Sequence, residues 1–455
     1  MVLLHRFQMD GRRLVLDVAS GALHVVDETA WFLLDRMEEG LAVADAVREA
    51  RAAGFPGAGA REAAAEIEDL AGRGQLWSPD PAGPDYMPPV RPLRALCLHL
   101  AHDCNLRCAY CFAGQGRYRG SRSLMSFEVG KQAIDYLLAA SGSYNQVEID
   151  FFGGEPLLNF AVLRRLVRYG RERETVTGKR INFTVTTNGV LLDETTGAFL
   201  DGERLGVVLS LDGRPEVHDA VRRTAAGAGS YALAAPRVSR FAVGRDNWNC
   251  YARGTYTRYN TDFCRDFEHL AGLGFAAVSL EPVVAGPAEP YALGEGDYPA
   301  LAREYERLAR LLAGGAYPGV RFFHFDLRLD DGPCLSRRVS GCGAGTEYLA
   351  VDPAGDLYPC HQFVGRAAFR MGNVAAGVAR PELAERFRAS HALAKAACAR
   401  CWARYFCSGG CHANNLAATG DMREPGALYC LLVRKRIECG LFLRAQTASR
   451  RVAAG

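Results

Sequence analysis

A chain of 455 residues, 49% hydrophobic and 23% charged, has ample core for two to four domains and the composition of an ordinary globular protein. Its formal net charge of +3 is too small to argue for nucleic acid or an anionic membrane as a partner. No run of about eighteen apolar residues exists and no signal peptide opens the chain, so the expected location is cytoplasmic, with no membrane partner. Fifteen cysteines are many for that compartment, where disulfide frameworks are rare, and metal or cluster ligation is the favoured use. The first 96 residues hold none, three fall within 104–111, and nine lie between 334 and 439.

Residues 1–80 read as a separate module. Val2 to Met9 has the pattern of a strand, Asp10-Gly11 of a hairpin turn and Arg13 to Val18 of a second strand. Ser20-Gly21 turns the chain into Ala22 to Val26, and helical patterns follow over Glu28 to Met37, Ala42 to Ala53 and Arg61 to Gly72. This set resembles the RiPP recognition element, a winged-helix-like module that binds the leader peptides of ribosomally made peptides. An exposed edge strand suits that task, because it takes up an extended peptide through main-chain hydrogen bonds. A capping module or a DNA-binding winged helix shares the element order, but no basic stripe marks the would-be recognition helix. Between Ser78 and Pro92 stand Pro79, Pro81, Pro84, Pro88, Pro89 and Pro92, and residues 81–92 are expected to form an extended linker.

Leu96 to Leu100 is an apolar run that reads as a strand. It delivers His102-Asp103-Cys104-Asn105-Leu106-Arg107-Cys108-Ala109-Tyr110-Cys111, with cysteines at C-x3-C-x2-C spacing. Three thiolates on so short a loop can hold three corners of a cubane iron–sulfur cluster, normally a four-cysteine site, and leave one iron open. The alternatives are a structural zinc site, which wants four protein ligands, and buried unpaired thiols. The spacing, with Tyr110 before the last Cys, resembles the radical S-adenosylmethionine (SAM) superfamily, in which the amino and carboxylate groups of SAM chelate the open iron.

Strand and helix signals then alternate. Ser126 is a candidate N-cap for a helix with Ile134, Leu137 and Leu138 on one face. Val147 to Phe152 leads into Gly153-Gly154-Glu155-Pro156, and a helix from about Phe160 follows. Ile181 to Thr186 ends at Thr187-Asn188-Gly189, Val207 to Leu211 ends at Asp212-Gly213, and Tyr251 to Tyr256 and Ala277 to Glu281 read as further strands. The order predicts an α/β fold, a partial (β/α)6 TIM barrel over residues 93–330, with its chemistry at the C-terminal ends of the strands. The radical SAM resemblance implies that Gly153 and Gly154 let the backbone approach SAM and that Glu155 meets its ammonium group. It further implies that Ser210 contacts the ribose or methionyl part, Arg222 pairs with the carboxylate and Tyr110 lies against adenine. Without the resemblance, Gly-Gly-Glu and Ser-x-Asp-Gly are common turns and an Arg after a strand is usually solvated. Arg253 to Arg258 and Ser279 to Pro282 are candidate channel walls with no assigned role. No G-x-G-x-x-G or G-x4-G-K-[ST] loop appears, which counts against a nicotinamide or nucleoside-triphosphate enzyme.

In residues 331–455, Gly355 precedes Cys360 by five positions, and Cys398, Cys401, Cys407 and Cys411 read C-x2-C-x5-C-x3-C. By itself this quartet is equally a zinc ribbon. With Cys342 before it and Cys430 after it, the pattern resembles the SPASM domain, which adds two four-iron clusters to radical SAM peptide-modifying enzymes. The resemblance implies that Cys342, Cys360 and Cys411 bind the first auxiliary cluster and Cys398, Cys401, Cys407 and Cys430 the second. Cys334 either completes the first cluster or leaves that iron to a substrate thiolate. Cys97, Cys250, Cys264 and Cys439 fit no pattern and read as plain thiols.

The blocks Leu14 to Val18, Val25-Val26-Asp27, His99 to Phe112, Ile149 to Leu157, Glu281 to Val284, Gly332-Pro333-Cys334, Gly341 to Asp352, Tyr358 to Gly365 and Cys407 to Cys411 are similar to the maturases of SCIFF peptides. One local departure is Arg223, where related enzymes commonly have Pro. That resemblance implies three [4Fe-4S] clusters, SAM as cofactor and a flavodoxin- or ferredoxin-type electron donor. It implies a radical SAM oxidoreductase that joins a Cys sulfur to a carbon, often of Thr, in a Cys-rich precursor peptide by way of a 5′-deoxyadenosyl radical. The alternatives are formylglycine formation, as in anaerobic sulfatase maturases, carbon–carbon crosslinking, and a non-enzymatic iron–sulfur carrier.

Overall fold

The computed structural model describes residues 3–83, 85–245, 249–329 and 334–454, with side chains as far as residue 447. Val2, Pro84, Gly332 and Pro333, named above, lie outside the described residues.

The chain opens with an antiparallel meander of β1 (Leu4–Met9), β2 (Arg12–Asp17) and β3 (Leu23–Val26). Asp10 and Gly11 both take positive φ, 50° and 73°, as a tight two-residue hairpin requires. Helices α1 (Glu28–Glu38), α2 (Val43–Ala52) and α3 (Gly57–Gly72) cover one face. The Asp27 carboxylate caps α1 by accepting from the Ala30 N–H at 2.7 Å. Helix α3 begins four residues before the expected Arg61, because burial of Ala60 and Ala64 beside Leu33, Leu34 and Ile67 outweighs the low helix propensity of its glycines. The described residues of the proline-rich stretch form no helix or strand, yet they are strapped down rather than free. Asp80 accepts from Arg404 at 2.5 Å and from the Tyr405 hydroxyl, and Arg388 donates to the Pro88 carbonyl at 2.7 Å.

The core alternates strand and helix: β4 (Ala95–Ala101), α4 (Phe127–Ala140), β5 (Gln146–Gly153), α5 (Phe160–Thr177), β6 (Arg180–Thr187), α6 (Glu194–Gly202) and β7 (Gly206–Ser210). Then come α7 (Pro215–Val221), α8 (Tyr231–Ala242), β8 (Cys250–Tyr256), α9 (Cys264–Gly272), β9 (Ala277–Pro282), α10 (Tyr298–Gly314) and the short β10 (Arg321–Phe322). Strands β4 to β10 lie side by side in chain order and all parallel, so the β/α succession expected of a partial barrel is present. Ser126 caps α4 through the Val129 N–H at 3.2 Å, and Ile134, Leu137 and Leu138 are buried. Each such side chain contributes about 1.5–3 kcal/mol.

The C-terminal region shares this sheet. After α11 (Leu335–Ser340), β11 (Tyr348–Val351) pairs in parallel with the free side of β4. Strands β12 (Asp356–Tyr358), β13 (Gly372–Asn373) and β14 (Gly377–Val378) extend it antiparallel to eleven strands. Five helices follow: α12 (Pro381–Arg388), α13 (Ala396–Ala399), α14 (Arg404–Cys407), α15 (His412–Thr419) and α16 (Ala427–Ala454). Helix α16 is bonded to the N-terminal module and the core at once: Glu438 pairs with His5, Lys435 with Glu306 and Arg436 with Glu281. Among the described residues, no helix is long and apolar enough to cross a membrane.

Candidate active site

Strand β4 is buried along its whole length and releases the chain into the loop of Cys104, Cys108 and Cys111, all half-buried. The loop is laid across the end of β5. The Gly154 N–H donates to the Ala101 carbonyl at 2.8 Å and the Glu155 N–H to the Asp103 carbonyl at 2.9 Å. A Cβ at Gly153 would stand 2.3 Å from the Ala101 oxygen, and one at Gly154 2.1 Å from the Asp103 oxygen. The two glycines are therefore required by the cysteine loop itself, a closer constraint than approach to a ligand. Glu155 stands behind this crossing, fully buried. Its carboxylate accepts from the Thr187 hydroxyl at 2.7 Å, the Asn188 N–H at 2.8 Å and the Leu157 N–H at 3.1 Å. Burial pushes it up to about 7 against those three bonds. Asn188, held in this way, donates its side-chain amide to Asn105 at 2.8 Å, within the cysteine loop.

The opposite wall is organised by Asp212, at the end of β7. Its buried carboxylate accepts from Arg222 through Nε at 2.9 Å and Nη2 at 3.1 Å, from the Tyr110 hydroxyl at 2.6 Å and from the Thr255 N–H at 2.9 Å. Burial pushes this group up, but Arg222 and then His218 outweigh it and hold it below its ordinary value. The guanidinium of Arg222 also lies 5.4 Å from the centre of the Tyr110 ring. Ser230 fixes the Arg222 carbonyl at 2.8 Å and meets His218 at 2.9 Å. Sequence reasoning passed over Asp212 as a turn residue and Asn188 as a strand end. The signal available was their position: both directly follow strands of a parallel sheet.

Between these walls lies a cavity of about 380 Å³, within the range of small-molecule sites. Cys104, Cys108 and Cys111 line it together with Tyr110, Gly153, Gly154, Ser210 and Arg222; Glu155 is not among the lining residues. Arg253, Thr255, Glu281 and Pro282 line it further along, whereas Ser279 is buried against His324 and Arg258 pairs with Asp297 outside. Cys411, Asn414, Gln362 and His361 line it as well. The His361 ring lies between Phe112 and Phe152, and burial pushes it down to about 4. Glu281 is half-buried, and His324, Arg436 and Arg253 overcome the burial penalty and hold it down to about 2, an anion in the wall.

The cysteines fall into three mutually interacting sets. Cys104, Cys108 and Cys111 act on one another, as do Cys342, Cys360 and Cys411. Cys398, Cys401, Cys407 and Cys430 form the third set and line one small cavity of about 30 Å³. Gly355, at φ 86°, closes the β11–β12 hairpin that places Cys360. Cys334 stands apart, exposed at the start of α11, with its sulfur taking a bond from Arg91 at 3.2 Å. Cys97, Cys250, Cys264 and Cys439 are buried in the core.

Among the described residues, no three His, Cys, Asp or Glu side chains converge as ligands of one metal ion, as a tetrahedral zinc site needs. The all-sulfur sets fit a polynuclear cluster, whose thiolates sit on different irons. Burial pushes the free Cys104 thiol up to about 12 and Cys108 to about 11, so a cationic centre is what would draw them to thiolates.

Residues 92–232 match the family of 4Fe-4S single cluster domains, and residues 342–402 match the SPASM iron–sulfur cluster-binding domain. An uncharacterized protein of Methanocaldococcus jannaschii is 34% identical over 130 residues, 29% of this chain and only 42% of that relative's length. The cysteine-type anaerobic sulfatase-maturating enzyme of Clostridium perfringens is 25% identical over 70% of this chain and 89% of its own. The mycofactocin maturase of Mycobacterium ulcerans is 29% identical over 61% and 71%. Native anSMEcpe with bound AdoMet superposes with a TM-score of 0.65 at 20% identity, covering 78% of this chain and 100% of that one. Streptococcus suis SuiB bound to precursor peptide SuiA superposes at 0.54 and 16%, covering 94% and 99%. At those identities the superpositions establish a shared fold.

Proposed function

We propose that this radical SAM/SPASM superfamily protein is a peptide maturase that joins a Cys sulfur to a carbon of another residue, such as Thr, in a Cys-rich precursor. One observation carries the reading: a single cavity is lined by all three cysteines of the 104–111 loop and also by Cys411. In this reading Cys104, Cys108 and Cys111 hold a [4Fe-4S] cluster whose open iron takes SAM. When bound, cluster and SAM supply a carbon radical that removes hydrogen from the peptide.

The chain's own residues position the partners. Asp212 fixes Arg222 for the SAM carboxylate and Tyr110 for the adenine, and Ser210 faces the ribose or methionyl part. Glu155 acts chiefly from behind, holding Thr187 and Asn188 against the cysteine loop, since it does not itself line the cavity. Cys342, Cys360 and Cys411 hold a second cluster with three protein thiols, leaving a position for the donor Cys of the peptide. Cys334, bonded to Arg91, stays out of that set. Cys398, Cys401, Cys407 and Cys430 close a third cluster completely. Residues 1–80 take the leader, residues 81–92 strap the module to the C-terminal region, 93–330 form the radical core and 331–455 the SPASM domain. For the leader, β3 is the outer strand of its sheet, and a cavity of about 390 Å³ lies between β3 and α3, lined by His24, Val25, Ile67 and Leu70. A precursor peptide as substrate is in keeping with SuiB, of the same fold, which binds the precursor peptide SuiA.

The second reading, oxidation of a Cys to formylglycine, is favoured by the resemblance to the C. perfringens enzyme over 70% of the chain. Co-expression with a small Cys-dense open reading frame beside the gene, followed by mass analysis, separates the two. Loss of two hydrogens with a blocked thiol supports the thioether. Loss of two hydrogens with exchange of sulfur for oxygen overturns it in favour of formylglycine.

A further inference from the structure

The segment 103–123 holds Arg107, Arg117, Arg119 and Arg122 against a single Asp103, so it carries as much net charge, +3, as the entire chain. Arg117, Arg119 and Arg122 are exposed, as is Arg223, whose carbonyl accepts from the Arg107 N–H. Only Arg122 is ion-paired, to Asp103 at 3.2 Å; Arg117, Arg119 and Arg223 have no carboxylate partner among the described residues. The collar is pressed onto the cysteine loop. A Cβ at Gly116 would stand 2.9 Å from the Cys104 Cβ, so Arg117 leaves the fold one residue from that contact. Gly114, Gln115, Gly116, Tyr118 and Arg119 all take positive φ, a costly backbone that turns the arginines outward. Arg119 is also held near Arg366: a Cβ at Gly365 would meet the Tyr118 oxygen at 1.8 Å.

We propose that this arginine collar is the docking surface for an acidic one-electron carrier protein that holds a flavin, of the flavodoxin type. The proposal rests on the reading that the Cys104 loop holds the electron acceptor. Cationic side chains around a buried acceptor steer an anionic carrier to the one face from which its cofactor comes close. One electron leaves the carrier's reduced flavin, which goes from hydroquinone to semiquinone, and one enters the cluster that the loop holds. Nucleic acid fits less well, since outside this segment the chain carries no net positive charge to extend the patch.

The test is the double variant Arg117→Glu/Arg119→Glu, neither residue lining the cavity. Two readouts are used at low salt: calorimetric binding of oxidised flavodoxin, and stopped-flow appearance of semiquinone when flavodoxin hydroquinone meets the cluster-loaded protein. Affinity and rate are each expected to fall about tenfold or more, and the difference from wild type to vanish near about 1 M salt. Dithionite-driven SAM cleavage is expected to be unchanged. If the double variant loses that cleavage through misfolding, Arg117→Gln/Arg119→Gln takes its place, with a smaller fall expected. Wild-type binding and semiquinone rates in a variant that still works with dithionite overturn the docking surface alone. A variant that loses only single-stranded DNA affinity overturns it in favour of nucleic acid. Wild-type protein that cleaves no SAM with dithionite defeats the underlying reading instead.

Discussion

Asp212 is a buried carboxylate whose charge is met by one guanidinium, and removing it strands Arg222 inside the wall. Asp212→Ala is expected to cost about 3–5 kcal/mol in urea denaturation and to weaken SAM binding, both measured on purified protein. The folded carboxyl titrates below its ordinary value of 3.8, so its contribution is present above that pH and is lost as pH falls through the lower folded value. Asp212→Asn should flatten that acid limb. Glu155 runs the other way. Its folded pKa, about 7 against 4.5, gives a contribution that is full below pH 4.5 and is lost as pH rises through about 7. An infrared carboxyl band present at pH 6, bleached by pH 8 and absent from Glu155→Gln would report this titration. In sequence Asp212 is only a turn signal, because its partners stand ten residues later at Arg222 and a hundred earlier at Tyr110. Glu155 was visible in Gly-Gly-Glu, but not that its oxygens are spent on β6.

The crossing of the cysteine loop over β5 decides which glycines matter. Gly154→Ala forces a Cβ to within 2.1 Å of the Asp103 oxygen, with backbone on both sides and no side chain able to yield. It is expected to lower the iron bound by the 104–111 loop, read by iron analysis and visible absorption. Gly178, at φ 70° with nothing within 4 Å, is the control; its Ala variant should cost only about 1–2 kcal/mol and keep its iron. Strands β1 to β9 were legible to within a residue or two, since apolar runs ended in polar turns mark them, whereas β10 to β14, two to four residues each, were not read from the sequence. The strap of the proline stretch was not legible. Asp80 meets Arg404 and Tyr405 from more than 300 positions away, and Asp80→Ala should cost about 3–5 kcal/mol by leaving Arg404 buried without its partner.

Across the whole molecule, the sheet that carries the Cys104 loop also carries Cys360, because β11 pairs with β4 and β12 follows it. Local spacing made the loop readable as a cluster site, and family resemblance sorted the seven distant cysteines into three and four. What spacing could not supply is that Cys411 lines the same cavity as the loop while Cys334 turns to Arg91, since both depend on how α11 and α15 sit on the sheet. Helix α16 adds a second long-range tie, bringing Arg436 to Glu281 and Glu438 to His5.

The most direct measurement is SAM cleavage by anaerobically reconstituted protein in which Cys104, Cys108 and Cys111 are all Ala, with iron counted in the same sample. Loss of 5′-deoxyadenosine formation with the iron of the two C-terminal sets retained is the predicted result. Continued cleavage by that variant, or zinc in place of iron in the wild-type protein, would contradict it.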